Sequence, residues 1–318
     1  MNVAILGTWH VHTREYTEAI KNNVNANLVA IWDKDENAKA FADEFGVSFY
    51  QNLDDVLNNA DIDSVVVCTA TYEHYDVITK AANAKKHIFT EKVLAFTTKE
   101  AREMIDVINK AQIKFTISYP HLTNPNILAA KEILDSGKLG KITYARVRNV
   151  HNGASAGWLP PHFYDKEQCG GGSMMDLGAH PMYTLYWLLG EPKSIVSTFT
   201  SVTGKAVEDN AVSVIKFDGG AIGVSETGFV SQNNPYTLEI GGTSGSLMIH
   251  GDSIRCGIDG DWKDVENLPE RPKLPIHQWV DSVNNNTETP YNTEFAYALT
   301  KLMEGAYISF ETGTKYNF

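Results

Sequence analysis

The chain has 318 residues and a formal net charge of -12, with 43% hydrophobic and 21% charged residues. That length suits two domains rather than one small core, and the acid excess without any Lys/Arg cluster argues against a nucleic-acid partner. Cys68, Cys169 and Cys256 are too scattered for a disulfide framework or a CxxC metal site, so the expected compartment is a reducing cytoplasm; the start MNVAILGTWHV has no signal-peptide pattern, and no stretch is long and apolar enough to be a membrane span.

In chain order, NVAILG is a short apolar run ending in Gly and reads as a buried strand. A helix follows from about His12 to Lys21, then the strand NLVAIWD, a helix DENAKAFADEFG stopped by Gly46, and the short strand VSFY. LDDVLNNA is a short helix and DSVVVCTA a strongly apolar strand. The alternation continues with EHYDVITKAANA, HIFTEK, TKEAREMIDVINKAQ and KFTISY. Such alternation, with near-continuous apolar strands, predicts βαβ units and a parallel sheet covered on both faces. Residues 1–120 are therefore expected to form an α/β, Rossmann-like, doubly wound domain.

Beyond Tyr119 the rhythm changes. One helix, NPNILAAKEILDSGKLG, is followed by the alternating strand KITYARVRNV and a helix within GGGSMMDLGAHPMYTLYWLLG, residues 170–190. The runs SIVSTFTSVTG, DNAVSVIKFDGG, AIGVSETGFVS, YTLEIGGTSG and SLMIHGD come next, separated by Gly, Asn and Asp turns. They predict a largely antiparallel open sheet. HQWVDSVNNN and FAYALTKLMEGAYISFETG read as closing helices. Residues 121–318 are thus expected to form an α+β domain for substrate binding and oligomerisation. Its open sheet face suits packing against a copy, so a homodimer or homotetramer is expected.

The turn VAILGTWHVH sits where a dinucleotide fingerprint G-x-G-x-x-G would fall, but only Gly7 matches. Trp9 and His12 take the places of the second and third glycines, with His10 and Val11 between them. Asp33 closes the second strand, where a carboxylate accepts hydrogen bonds from the ribose hydroxyls of NAD and repels the 2′-phosphate of NADP. Lys34 softens that preference, so NADP stays open. His10 and His12 lack a nearby Cys or acid, and no metal site is read there.

Three further segments make the chain resemble the Gfo/Idh/MocA family of NAD(P)-dependent oxidoreductases. SVVVCTATYEHYDVITKA is similar to that family's C-T-P-x-x-x-H segment, with Thr69 and His74 matching and Ala70 replacing proline. HIFTEKVLAFT is similar to its E-K-P-L-A segment, with Glu91 and Lys92 matching and Val93 replacing proline. GGGSMMDLGAHPMYTLYWLLG resembles G-G-G-x-L-x-D-x-G-x-H almost completely, and GGTSGSL and EGAYISFETG also fit the second domain. The resemblance runs along essentially the whole chain. It implies hydride transfer between a nicotinamide cofactor and a hydroxyl carbon of a sugar, inositol or related polyol. NAD-dependent glycosidases and non-catalytic sugar-responsive regulators on the same scaffold are the alternatives. A cis bond before a non-proline residue costs about 3–4 kcal/mol, so a trans bond is expected between Lys92 and Val93. The stretch ISYPHLTNP lacks the arginines common in the family.

Oxidising an alcohol with NAD needs a base for the hydroxyl proton. His180 suits that task near neutral pH. Asp176, four residues earlier, would share its face on a helix and support it. Lys92 would donate to the substrate hydroxyl and favour its ionisation. Gly7, Trp9, His10, Val11, Asp33, Thr69, His74, Glu91 and Lys92 form the expected cofactor set. Tyr119, His121, His151, Trp158 and His162 form the expected substrate wall.

Overall fold

The computed structural model describes residues 1–233 and 236–318. Two compact units divide the chain: residues 1–118 with 273–297, and residues 119–272 with 298–318.

The first unit is built on six strands, β1 (Asn2–Leu6), β2 (Asn27–Trp32), β3 (Ser48–Tyr50), β4 (Ser64–Val67), β5 (His87–Thr90) and β6 (Phe115–Ile117). They pair in the order β3-β2-β1-β4-β5-β6, every neighbour parallel. All four residues of β4 are buried, as its unbroken apolar run requires in a sheet covered on both sides. The helices end on the signals expected. The helix Lys39–Phe45 stops at Gly46 with φ 72°, and Thr97 accepts the Glu100 N–H to start the helix Thr98–Ala111.

The sequence placed everything after residue 120 in one domain. The segment 273–297 instead belongs to the first unit. Its helix Pro275–Asn285 carries Ile276, Trp279, Val280 and Val283 on one stripe. The first three pack into the same cluster as Val3, Ile5, Ile31 and Phe89, with Trp279 fully buried. That stripe matches an apolar face of the parallel sheet, which is why the chain returns to it.

Among the described residues the second unit holds nine strands: β7 (Ile142–Val150), β8 (Pro192–Thr200), β9 (Asn210–Phe217), β10 (Ile222–Gly228), β11 (Thr237–Gly242), β12 (Gly245–His250), β13 (Ser253–Ile258), β14 (Asp261–Asp264) and β15 (Tyr316–Asn317). Their order is β14-β13-β12-β11-β7-β10-β9-β8-β15. Only β7 and β10 run parallel; the other neighbours are antiparallel. β9 alternates exposed and buried residues along its whole length, so one face of the sheet is covered and the other is open. The helix Ala179–Leu189 lies against β7 and β10 on the covered face. Strands β13 to β15 escaped the sequence reading; β14 is exposed at every position and shows no alternation. Among the described residues, no helix is long and apolar enough to cross a membrane.

Candidate active site

In the first unit, parallel pairing of Leu6 with Trp32 brings the residues that follow β1 and β2 side by side. Gly7 has φ +90° and its N–H donates to Trp32 O at 2.8 Å. A Cβ there would lie 2.7 Å from Thr69 Cγ2 and 2.9 Å from Thr69 N, so only glycine lets the two turns approach. Asp33 is already engaged: its Oδ2 accepts the Thr8 N–H at 2.7 Å and the Thr8 hydroxyl at 2.6 Å, and its Oδ1 accepts the Asp35 N–H at 2.9 Å. Thr8 ties the acid to the turn, a link the fingerprint reading missed. Trp9 is half-buried beside His10, and Val11 is 49% exposed.

Thr69 and His74 are buried, and among the described residues neither Thr69 Oγ1 nor His74 Nε2 has a hydrogen-bond partner. His74 Nδ1 lies 3.0 Å from Val93 O and 3.2 Å from Leu94 O, which fixes the loop after β5. Burial holds His74 below the usual imidazole range. The Lys92–Val93 bond in that loop is cis, contrary to the trans bond expected from intrinsic cost alone. The local preference is overridden by a buried setting in which both following carbonyls face one imidazole. Lys92 itself is 7% exposed.

Glu91 is buried and accepts the Tyr16 hydroxyl and the Lys92 N–H. Burial alone would raise its carboxyl. The charges of His10, His12 and Lys92 and the Tyr16 hydrogen bond outweigh that and hold it below the usual carboxylate range. His10 Nδ1 stands 3.7 Å from Glu91 Oε1.

In the second unit, residues 170–178 form turns and the helix begins only at Ala179. Asp176 therefore precedes the helix, and the shared helical face expected for Asp176 and His180 does not exist. The turn still makes bonds of helical type: Asp176 N–H donates to Gly172 O at 3.0 Å and Gly178 N–H to Ser173 O at 2.8 Å. The nearby glycines and buried polar contacts hold this turn short of a regular helix. The charge of Asp176 acts on His151, whose pKa is lowered by burial and partly restored by that carboxylate.

His180 is buried in the first helical turn. Its Nδ1 lies 2.7 Å from Tyr183 Oη, and its ring stacks on His121 at 4.2 Å and 18°. Tyr183 Oη also accepts the His121 N–H at 3.2 Å, and Tyr119, fully buried, stacks on the Tyr183 ring at 4.3 Å. Tyr119 thus backs the wall rather than surfacing it. Tyr183 is the residue the sequence reading missed; its signal was its place three residues after His180, on the same helical face. His151 forms a second group, stacked on Phe229 at 4.9 Å and tilted against Trp158 at 4.7 Å. Trp158 is 56% exposed, and its Nε1 donates to Asn152. His162 lies in the 3-10 turn Pro161–Tyr164, where its carbonyl accepts from Cys169 Sγ at 3.1 Å.

The glycine turn has a second anchor that sequence did not reveal. Glu208 Oε1 accepts the N–H groups of Gly172 and Met174 at 2.9 and 3.0 Å and the Tyr307 hydroxyl at 2.6 Å. The Ser173 N–H donates to Glu208 O at 2.8 Å. A Cβ on Gly172 would lie 2.0 Å from that same carbonyl oxygen, so the close approach requires glycine.

A parallel sheet of this order, with a glycine turn after β1 and an acid after β2, defines a dinucleotide-binding domain. A model of an oxidoreductase family with an NAD-binding Rossmann fold matches residues 1–119, and one of the GFO/IDH/MocA C-terminal domain matches residues 127–248. The chain belongs to the Gfo/Idh/MocA family, and its first unit is an NAD-binding domain. It is 30% identical over 206 residues to an inositol 2-dehydrogenase of Rhizobium meliloti (strain 1021), spanning 63% of this chain and 60% of that one, less than two thirds of its length. It is 25% identical over 341 residues to a D-glucoside 3-dehydrogenase of Escherichia coli (strain K12), spanning 99% and 97% of the two chains. A levoglucosan dehydrogenase solved with NADH and levoglucosan shares the fold with a TM-score of 0.87 at 20% identity, over 100% of this chain and 99% of that one.

Proposed function

We propose that the protein is an NAD(P)-dependent dehydrogenase or reductase acting on a hydroxyl carbon of a sugar, inositol or related polyol. The observation that carries this reading is the buried His180 imidazole, held at Nδ1 by Tyr183 and stacked on His121. Relatives named as inositol 2-dehydrogenase and D-glucoside 3-dehydrogenase support the substrate class.

The first unit's residues fit a dinucleotide. Gly7 lets the turn after β1 close on Thr69, and the backbone N–H groups of that turn would meet the pyrophosphate. Thr69 Oγ1 is a buried hydroxyl without a partner among the described residues, and Asp33 offers its carboxylate to ribose hydroxyls, which favours NAD over NADP. Trp9 and Val11 flank that turn. NAD, when bound, takes the hydride from the substrate carbon. Lys92 donates a hydrogen bond to the substrate hydroxyl and lowers its pKa. With the Nδ1–H of His180 donated to Tyr183 Oη, its Nε2 carries the lone pair that accepts the hydroxyl proton. Asp176 hydrogen-bonds a second substrate hydroxyl. His121, His151, Trp158 and His162 present imidazole and indole groups suited to a hydroxyl-rich ligand. The enzyme works as a homodimer or homotetramer in the cytoplasm, where its three free thiols stay reduced.

The test follows cofactor reduction by absorbance with myo-inositol, glucosides and anhydrosugars as substrates. Replacing His180 or Lys92 by Ala should lower kcat by about 100-fold or more, in line with the loss of a positioned acid–base group. Unaltered turnover in both variants would reject the assignment.

A further inference from the structure

The fold brings a distant acid to the His-x-His of the first turn. Glu91, at the end of β5, meets His10 and His12, and one ligand atom from each of the three lies within 4.8 Å of the others. His10 Nδ1 also lies 3.3 Å from the His12 backbone nitrogen. Glu91 Oε1 faces His10 Nδ1 at 3.7 Å, too far for a hydrogen bond. A cation placed between an imidazole nitrogen and a buried carboxylate oxygen is attracted to both.

The outer partners are also in place. Glu15 lies 3.2 Å from His12 Nδ1, which leaves His12 Nε2 to face a ligand. Tyr16 donates to Glu91 and fixes its orientation. A carboxylate on the distal ring nitrogen is the usual support of a metal-binding histidine. Two imidazoles and one carboxylate suit zinc and leave a further position open. His10 and Glu91 are buried, whereas His12 is exposed and gives the ion a way in. Lys92 and protonation of His12 are the cationic competitors, so binding is favoured where the imidazoles are neutral.

We propose that His10, His12 and Glu91 form a binding site for a divalent transition metal of the zinc type. The proposal does not depend on the hydride-transfer reading, because its readout is metal binding without cofactor or substrate. Zinc is titrated into chelator-treated, full-length protein at pH 7.5 by calorimetry. One ion should bind per chain, and His12→Ala should weaken binding by about 10-fold or more. Cobalt in place of zinc should give visible absorption bands that Glu91→Gln, confirmed as folded by circular dichroism, loses. Replacing the exposed His250 by Ala should change neither result. Zinc bound equally by wild type and His12→Ala, or an equal loss in His250→Ala, overturns the site.

Discussion

Glu208 is the acceptor for two backbone N–H groups and one hydroxyl, which ties the glycine turn to the C-terminal helix through Tyr307. Glu208→Ala removes all three bonds at once. Each orphaned donor in a buried setting costs about 1–3 kcal/mol. Glu208 is only partly buried, so water repairs part of the loss and the lower end applies. Three donors then give about 3 kcal/mol, and for a unit of this size each kcal/mol lowers Tm by about 2–4 °C. The expected fall is about 6–12 °C. Glu208→Gln keeps an acceptor oxygen and loses only the charge, so it should cost about 1 kcal/mol, or about 2–4 °C. Calorimetric melting of the three proteins measures this directly. The turn also carries Asp176 and leads into His180, so both variants should lower kcat while leaving the KM for cofactor unchanged. If both variants melt within about 2 °C of wild type, these hydrogen bonds do not hold the turn.

Gly7→Ala places a methyl 2.7 Å from Thr69 Cγ2 at a φ of +90°; it should cost about 1–2 kcal/mol in backbone conformation alone and weaken NADH binding, read by melting and by fluorescence titration. Trp279→Ala should destabilise the first unit by about 3–5 kcal/mol, read by urea denaturation, because the indole is fully buried in that unit's core. Acid should destabilise the protein. Burial keeps His74 and His151 less basic than in the unfolded chain, so the unfolded state binds more protons below about pH 6.5 and stability is lost as pH falls through that range. Glu91, held below its usual range, adds to the same trend at lower pH. His12 is raised by Glu15 and opposes it, but its side chain is 46% exposed and carries less weight. Tm measured from pH 7 to 5 should decline, and His74→Asn should flatten the decline; a flat or rising wild-type profile contradicts the account.

The first sheet was legible because its strands are unbroken apolar runs and its helices end on punctuating residues such as Gly46. Both signals are local. Helix Pro275–Asn285 was also legible as a helix, but its attachment was not: an apolar stripe says that a face is buried, not which sheet buries it. At the candidate site, Asp33, His180 and Lys92 could be singled out from motif and position. Tyr183 was within reach, since it sits one helical turn after His180 and can hydrogen-bond it; Thr8 sits between the chosen Gly7 and Trp9, but its partner Asp33 is 25 residues away. Glu208 was not within reach, and Glu91 was singled out by its motif without its partners His10 and His12. The partners of these two acids are 34 to 36 and 79 to 81 residues away, and an isolated acid in a loop has no periodicity to betray its role. The Lys92–Val93 bond ran against intrinsic preference, as local rules do where tertiary contacts decide.

Trp279 bears on how the protein is made. The N-terminal sheet lacks part of its hydrophobic cover until residues 273–297 have left the ribosome. Synthesis proceeds at about 5–20 residues per second, so the nascent sheet waits many seconds with apolar surface bare. During that interval a chaperone has a defined target, and a segment about 150 residues downstream governs whether the first sheet matures.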